Sequence, residues 1–226
     1  MFAERIIYCS NIRLHFILFL KIMTMYLKQL LLLLFFVTAV ASCTEKTIIT
    51  KHENGTIYEQ YQYRGDSLKH GTYVRYSEGG VILEESTYVD GYLSGERKIY
   101  NQAGNLEIEE FYENKLLNGP YKVYYDNGTL RLEGMYVDNV LSGPMKGYYP
   151  SGALKEEVVF VDNLEDGPFK EYHENGSLMW KGTYRGGDKE FGLLEKFDEN
   201  GQLVRKMMCD ERGVCNTTWT IEKENS

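Results

Sequence analysis

The stretch that decides the fold reads Gly119-Pro-Tyr-Lys-Val-Tyr-Tyr-Asp-Asn-Gly128, followed after Thr129 by Leu130-Arg-Leu-Glu-Gly-Met-Tyr136. Two short aromatic-rich runs flank an Asn-Gly pair, and the layout returns at 143–160 and 167–184. Glycines equivalent to Gly128 stand at Gly55, Gly80, Gly104, Gly152, Gly176 and Gly201, with successive spacings of 24 or 25 residues. With each glycine as position zero, position −4 holds Tyr76, Tyr100, Tyr124, Tyr148, Tyr172 and Phe197. Position +2 holds Ile57, Ile82, Leu106, Leu130, Leu154, Leu178 and Leu203, and position +8 holds Tyr63, Tyr88, Tyr112, Tyr136, Phe160, Tyr184 and Cys209. A second glycine follows at Gly71, Gly95, Gly119, Gly143, Gly167 and Gly192. Self-similarity at this period means one supersecondary unit copied in a row, each copy burying its apolar side against its neighbours.

Asn-Gly between such runs predicts a hairpin whose reversed turn needs positive φ. A second turn is expected near Asp90-Gly91, Asn114-Lys115, Asp138-Asn139, Asp162-Asn163 and Gly186-Gly187. Two turns per repeat leave two strands of about six to eight residues, the ordinary strand length. Glycine interrupts every window before a helix could complete three turns. The expected fold is all-β: an elongated, single-layer antiparallel meander of consecutive hairpins, about fourteen strands in all. A two-residue turn would set the −4 tyrosines opposite position +3, and a three-residue bulged turn opposite +4; only the latter would bring −4, +2 and +8 to one face. Pro120, Pro144 and Pro168 directly follow second-column glycines, where the start of a strand tolerates proline.

These columns, over about residues 51–209, resemble the MORN (membrane occupation and recognition nexus) repeat in its variant form. The resemblance implies consecutive β-hairpins with stacked aromatics. It implies no reaction, and bacterial relatives are often labelled antitoxin-like.

Ahead of the array, residues 29–42 form an apolar run (Gln-Leu-Leu-Leu-Leu-Leu-Phe-Phe-Val-Thr-Ala-Val-Ala-Ser) that Lys28 precedes and Cys43 follows. The run is short for a membrane span and has the layout of a secretory signal. Val40-Ala41-Ser42-Cys43 resembles a bacterial lipobox, which implies a lipidated Cys43 as the mature N-terminus. Met25 is the expected start, and Thr44 after the cysteine resembles lipoproteins sorted to the outer membrane. The domain reading is therefore a signal region at 1–42, a lipidated cysteine and tether at 43–53, the array at 54–209, and a capping hairpin or tail at 210–226.

The chain carries 25 basic and 33 acidic residues. Residues 1–42 hold Arg5, Arg13, Lys21, Lys28 and Glu4, so the remainder carries 21 basic against 32 acidic, a net charge of −11. That disfavours nucleic acid and anionic lipid headgroups as partners. Cys209 and Cys215 flank the turn-like Asp-Glu-Arg-Gly-Val, and a disulfide clamping a last hairpin is one reading. The other is that Cys209 fills the +8 core column in place of tyrosine. Most of the 19 tyrosines sit in repeat columns and read as cross-strand packing. Tyr125, Tyr149, His173 and Trp180 lie off those columns and are the candidate exposed binding stripe. His52, His70 and His173 are read as unconnected, and no metal site, cofactor motif, Ser–His–Asp order or phosphate loop is found.

The expectation is a non-catalytic, membrane-anchored lipoprotein of the bacterial cell envelope that binds a protein partner, with an antitoxin- or immunity-like role among the options. A carbohydrate- or cell-wall-binding lipoprotein is the alternative, through aromatics stacking on sugars. An envelope hydrolase would require a convergent polar pocket.

Overall fold

The computed structural model describes residues 45–65 and 68–221. The signal region, the Met25 start, Cys43 and Thr44 lie outside them. No helix among the described residues is long and apolar enough to cross a membrane. All regular structure in the described residues is β.

The chain divides into two compact units, one ending at Tyr92 and one beginning at Leu93. In the first, β1 (Glu45–Lys51), β2 (Ile57–Arg64), β3 (Leu68–Tyr76) and β4 (Ile82–Val89) each pair antiparallel with the next. The second contains β5 (Tyr92–Tyr100), β6 (Leu106–Glu113), β7 (Leu116–Leu117), β8 (Gly119–Tyr124), β9 (Leu130–Val137), β10 (Val140–Leu141), β11 (Gly143–Tyr148), β12 (Leu154–Val161), β13 (Leu164–Tyr172), β14 (Leu178–Tyr184), β15 (Gly192–Phe197), β16 (Leu203–Cys209) and β17 (Cys215–Thr220). Here too strands pair antiparallel in chain order, with β7 and β10 as the leading pieces of the interrupted strands that β8 and β11 continue. The expected all-β meander of consecutive hairpins is thus found, one layer thick within each unit.

The turns differ from the sequence expectation, and the difference sets the register. At Tyr125–Thr129 the Tyr125 N–H donates to Thr129 O at 2.9 Å and the Gly128 N–H donates to Tyr125 O at 2.8 Å. This closes a three-residue loop in which only Gly128 has positive φ, 81°. The reversed two-residue turn lies at the other end of the hairpins: Asp138 and Asn139 have φ of 51° and 68°, Asp162 and Asn163 of 51° and 67°. Asp and Asn tolerate that region because their short polar side chains bond locally.

Tyr124 consequently faces Leu130 directly, and the next rung pairs Val123 with Leu132, leaving Arg131 in a bulge. Position −4 therefore lies opposite +2, and neither expected alignment (+3 or +4) occurs. The bulge flips the alternation, so −4 and +2 share one face and +8 sits on the other.

The face carrying +8 is the apolar one. Val158, Phe169, Leu194 and Cys209 form its buried cluster, flanked by Phe160, Trp180, Tyr184 and Met207. Burying such side chains contributes about 1.5–3 kcal/mol each. The +8 residues also explain the second glycine column. Gly119 pairs with Tyr136, Gly143 with Phe160, Gly167 with Tyr184 and Gly192 with Cys209. Gly119 has φ 143°, and a Cβ there would come within 2.8 Å of Phe111 Cβ, so only glycine fits.

The opposite face is laced by charge. The Tyr124 hydroxyl donates to Glu109 at 2.6 Å, Tyr148 to Glu133 at 2.6 Å and Tyr172 to Glu157 at 3.1 Å, each reaching one repeat back. Burial and these carboxylates hold the Tyr148 hydroxyl up to about 12. Lys98 and Lys122 both approach Glu109, and Lys146 approaches Glu157. In the last repeats the signs exchange, and Glu195 lies between Lys181 at 2.7 Å and Lys206 at 3.3 Å.

Gly119→Ala is expected to destabilise the protein by about 2–3 kcal/mol in urea unfolding, through strained φ and the Phe111 clash. Tyr148→Phe should cost about 1 kcal/mol by leaving Glu133 without its donor. An unfolding midpoint unchanged by Gly119→Ala would contradict the register described.

Candidate functional site

The apolar face changes character along one row of directly paired residues in the second unit. Its members are Ile99, Ile108, Val123 and Leu132, then Gly147, then Glu156, Glu171, Trp180, Lys196 and Arg205. These are positions −5 and +4 of successive repeats. The first part is uniformly aliphatic, and the second is charged around one tryptophan. Gly147 marks the change: a Cβ there would lie 2.5 Å from Glu156 Oε1, so the Glu156 side chain lies across bare backbone.

One row further along the strands, Gly182 takes the position that Val158 and Met207 hold in neighbouring repeats. A Cβ at Gly182 would meet Phe169 Cε1 at 2.7 Å and Leu194 Cδ1 at 2.8 Å. Its absence lets those two side chains close over the strand. Phe169 stacks on Tyr184 with ring centroids 4.2 Å apart and planes 21° from parallel.

The result is a groove of about 370 Å³ on the apolar face. Phe169, Trp180 and Tyr184 supply aromatic walls; Leu194, Met207 and Cys215 supply apolar surface, and Glu171 and Glu190 bring carboxylates. The Lys196 ammonium sits 4.9 Å from the centre of the Trp180 ring.

The electrostatics are unusual for this chain. Elsewhere on the same columns carboxylates meet cations: Glu84 meets Arg75 at 3.4 Å, Glu110 meets Arg97 at 3.0 Å. Among the described residues, none of Glu156, Glu165, Glu171 and Glu190 forms an ion pair. Burial raises the Glu171 carboxyl above its ordinary 4.5, Glu156 and Glu190 add to the rise, and Lys155 opposes it. Glu165 rises through burial, Asp188 and Glu156. Burial and these carboxylates push the Tyr184 hydroxyl up to about 12. Partly buried carboxylates without an ion pair therefore lie beside an aromatic surface.

Of the residues singled out in the sequence, only Trp180 and Cys215 line this groove. Tyr125, Tyr149 and His173 lie along the hairpin edge, half-buried, with their polar atoms bonded within the chain. The Tyr125 hydroxyl donates to Tyr148 O and the Tyr149 hydroxyl to Tyr172 O, both at 2.7 Å, while His173 Nε2 lies 3.2 Å from Phe197 O. His52 makes the same contact with Tyr76 O at 3.2 Å. The two histidines thus hold one repeat position, contrary to the reading of them as unconnected. Asn-Gly-Thr/Ser triplets serve the same edge: Asn127 accepts from the Thr129 N–H and hydroxyl and donates through Nδ2 to Pro150 O at 3.0 Å. Cys209 and Cys215 are joined, with Cα atoms 3.9 Å apart and Cys209 3% exposed. Cys209 therefore fills the +8 column and carries the bridge at once. Tyr184 was read as a +8 packing residue, and Phe169, Glu171, Glu190, Leu194 and Met207 were not singled out; comparing the −5 and +4 columns across repeats would have flagged Glu171. Among the described residues no three His, Cys, Asp or Glu side chains are grouped to hold a metal ion.

Five segments, residues 69–90, 93–114, 117–138, 141–162 and 165–185, match the MORN repeat variant. The chain thus carries five repeats of this variant, a type of repeat that is generally a protein- or membrane-interaction motif and generally non-catalytic. No curated protein matches the chain.

A raised carboxyl binds more protons in the folded than in the unfolded chain, so stability should fall as pH rises from 4.5 through the folded value of Glu171. Glu171→Gln is expected to flatten that slope and to raise Tm by a few degrees at neutral pH, as measured by calorimetry across pH 4–8. A lowered Tm at neutral pH would show that the Glu171 charge is compensated.

Proposed function

We propose that this protein is a non-catalytic interaction scaffold, held at the bacterial cell envelope by a lipid on Cys43, that docks a protein partner on the apolar face around Trp180. The observation that carries the reading is the groove. It is the place in the second unit where the repeat departs from its own pattern to leave aromatic surface beside unpaired charge. Repeat arrays of this type serve interaction in general, which agrees with a binding role. Within this reading an immunity-like or antitoxin-like role is one option, tested by deleting the gene alone and together with its neighbours. Relief of a single-deletion toxicity by the larger deletion supports that role.

A second reading is favoured by one feature: Trp180 and Tyr184 stand beside Glu171 and Glu190, a layout that also suits stacking on a sugar ring with carboxylates accepting its hydroxyls.

A photo-crosslinking residue at Trp180 in the native host is expected to trap a defined protein, and the same residue at Tyr125 is not. Cross-links to peptidoglycan or glycan alone would favour the sugar reading. Intact mass of the envelope-extracted protein is expected to show a chain beginning at Cys43 with diacylglycerol and acyl additions. A free Cys43 would remove the anchor from the proposal.

A further inference from the structure

Resting on that docking reading, we propose that the groove recognises a cationic side chain, arginine or lysine, presented by the partner polypeptide. Three observations converge. The groove of about 370 Å³ has room for one long side chain and part of its flanking residues. Its walls include the half-buried rings of Trp180 and Tyr184, aromatic surface that attracts a cation electrostatically. The carboxylates of Glu171 and Glu190 lie in the same wall without an ion pair of their own, on a fold that elsewhere gives Glu84 and Glu110 an arginine each.

The occupant follows from charge complementarity. An acidic or neutral apolar group entering the groove would leave Glu171 and Glu190 further desolvated and still unpaired, which opposes binding. A guanidinium or ammonium supplies the missing counter-charge in a partly desolvated site, where such pairs are stronger than at an open surface. Lys196 shows that the Trp180 ring already accommodates an ammonium, at 4.9 Å from its centre. Lys155 on β12 acts on the Glu171 charge and Lys196 lies over Trp180, and neither forms an ion pair with Glu171.

The test uses the full chain carrying Trp219→Phe, which leaves Trp180 as the sole tryptophan, since the chain has 2. The probes are the peptide acetyl-Ser-Leu-Arg-Leu-Ser-amide and the same peptide with neutral citrulline in place of arginine. The arginine peptide is expected to shift Trp180 fluorescence saturably and to bind about tenfold or more tighter than the citrulline peptide. The Glu171→Gln/Glu190→Gln double variant should erase that advantage, whereas Glu199→Gln at an exposed turn should leave it intact. Both substitutions are isosteric and remove unpaired charge, and an unchanged or raised Tm verifies that the double variant is folded. Equal, saturable binding of the two peptides would overturn the cation proposal while leaving the docking face in place. No response to either peptide would also overturn it. A saturable response to an N-acetylglucosamine tetramer, with none to either peptide, would overturn both this proposal and the docking reading beneath it.

Discussion

A sheet one layer thick has no opposing layer to bury its apolar side, so each hairpin depends on the backbone ladder to its neighbours. That constraint governs the rest of the structure. Among the described residues no side chain is fully buried, and the best protected apolar ones (Cys209 at 3%, Phe169 at 4%) lie where several adjacent strands contribute to one cluster. Stability in such an array is a sum of local units and nearest-neighbour terms rather than the property of a central core. The edge bonds then acquire a clear role. Tyr125, Tyr149, Asn127 and Asn175 each pass a hydrogen bond to the backbone of the next copy, fixing turn to turn where the ladder has ended. Between β16 and β17 the Cys209–Cys215 bridge takes the place of the pairs that Tyr136 makes with Leu141 and Phe160 with Glu165 in earlier repeats.

The Asn-Gly column, the two-turn rhythm and the all-β meander were legible in the sequence because glycine and Asx residues report backbone conformation directly. The register was not. Periodicity fixes which residues alternate, but a single bulged residue such as Arg131 inverts the alternation beyond it. No residue type at position +3 announces that bulge, since the column holds arginine in one repeat and lysine in another. For the same reason the tyrosines at −4 and +8 looked like one population. They are two: Tyr148 bonds Glu133 on the charged face, and Tyr184 stacks on Phe169 on the apolar one.

The off-column aromatics show a second limit of sequence. Tyr125, Tyr149 and His173 looked exposed because they precede the turn glycine, yet each spans to the next repeat, 23 or 24 residues on. That contact is non-local and depends on strand order. Trp180 could be singled out as the odd member of its column, but its neighbours Phe169 and Leu194 belong to another column and meet it through the gap at Gly182.

Repetition and recognition oppose each other physically. Identical copies present identical surfaces, and a partner on such a surface can slide from one register to the next. A unique site needs a break that leaves the ladder intact. Gly147 and Gly182 provide one of this kind: both keep their backbone pairing while removing a side chain, one admitting Glu156 and the other admitting Phe169 and Leu194. The cost falls on electrostatics rather than packing, since the admitted carboxylates lack the arginines that Glu84 and Glu110 enjoy. A repeat that leaves carboxylates without an ion pair beside Trp180 gives that part of the array a surface its sister repeats do not share.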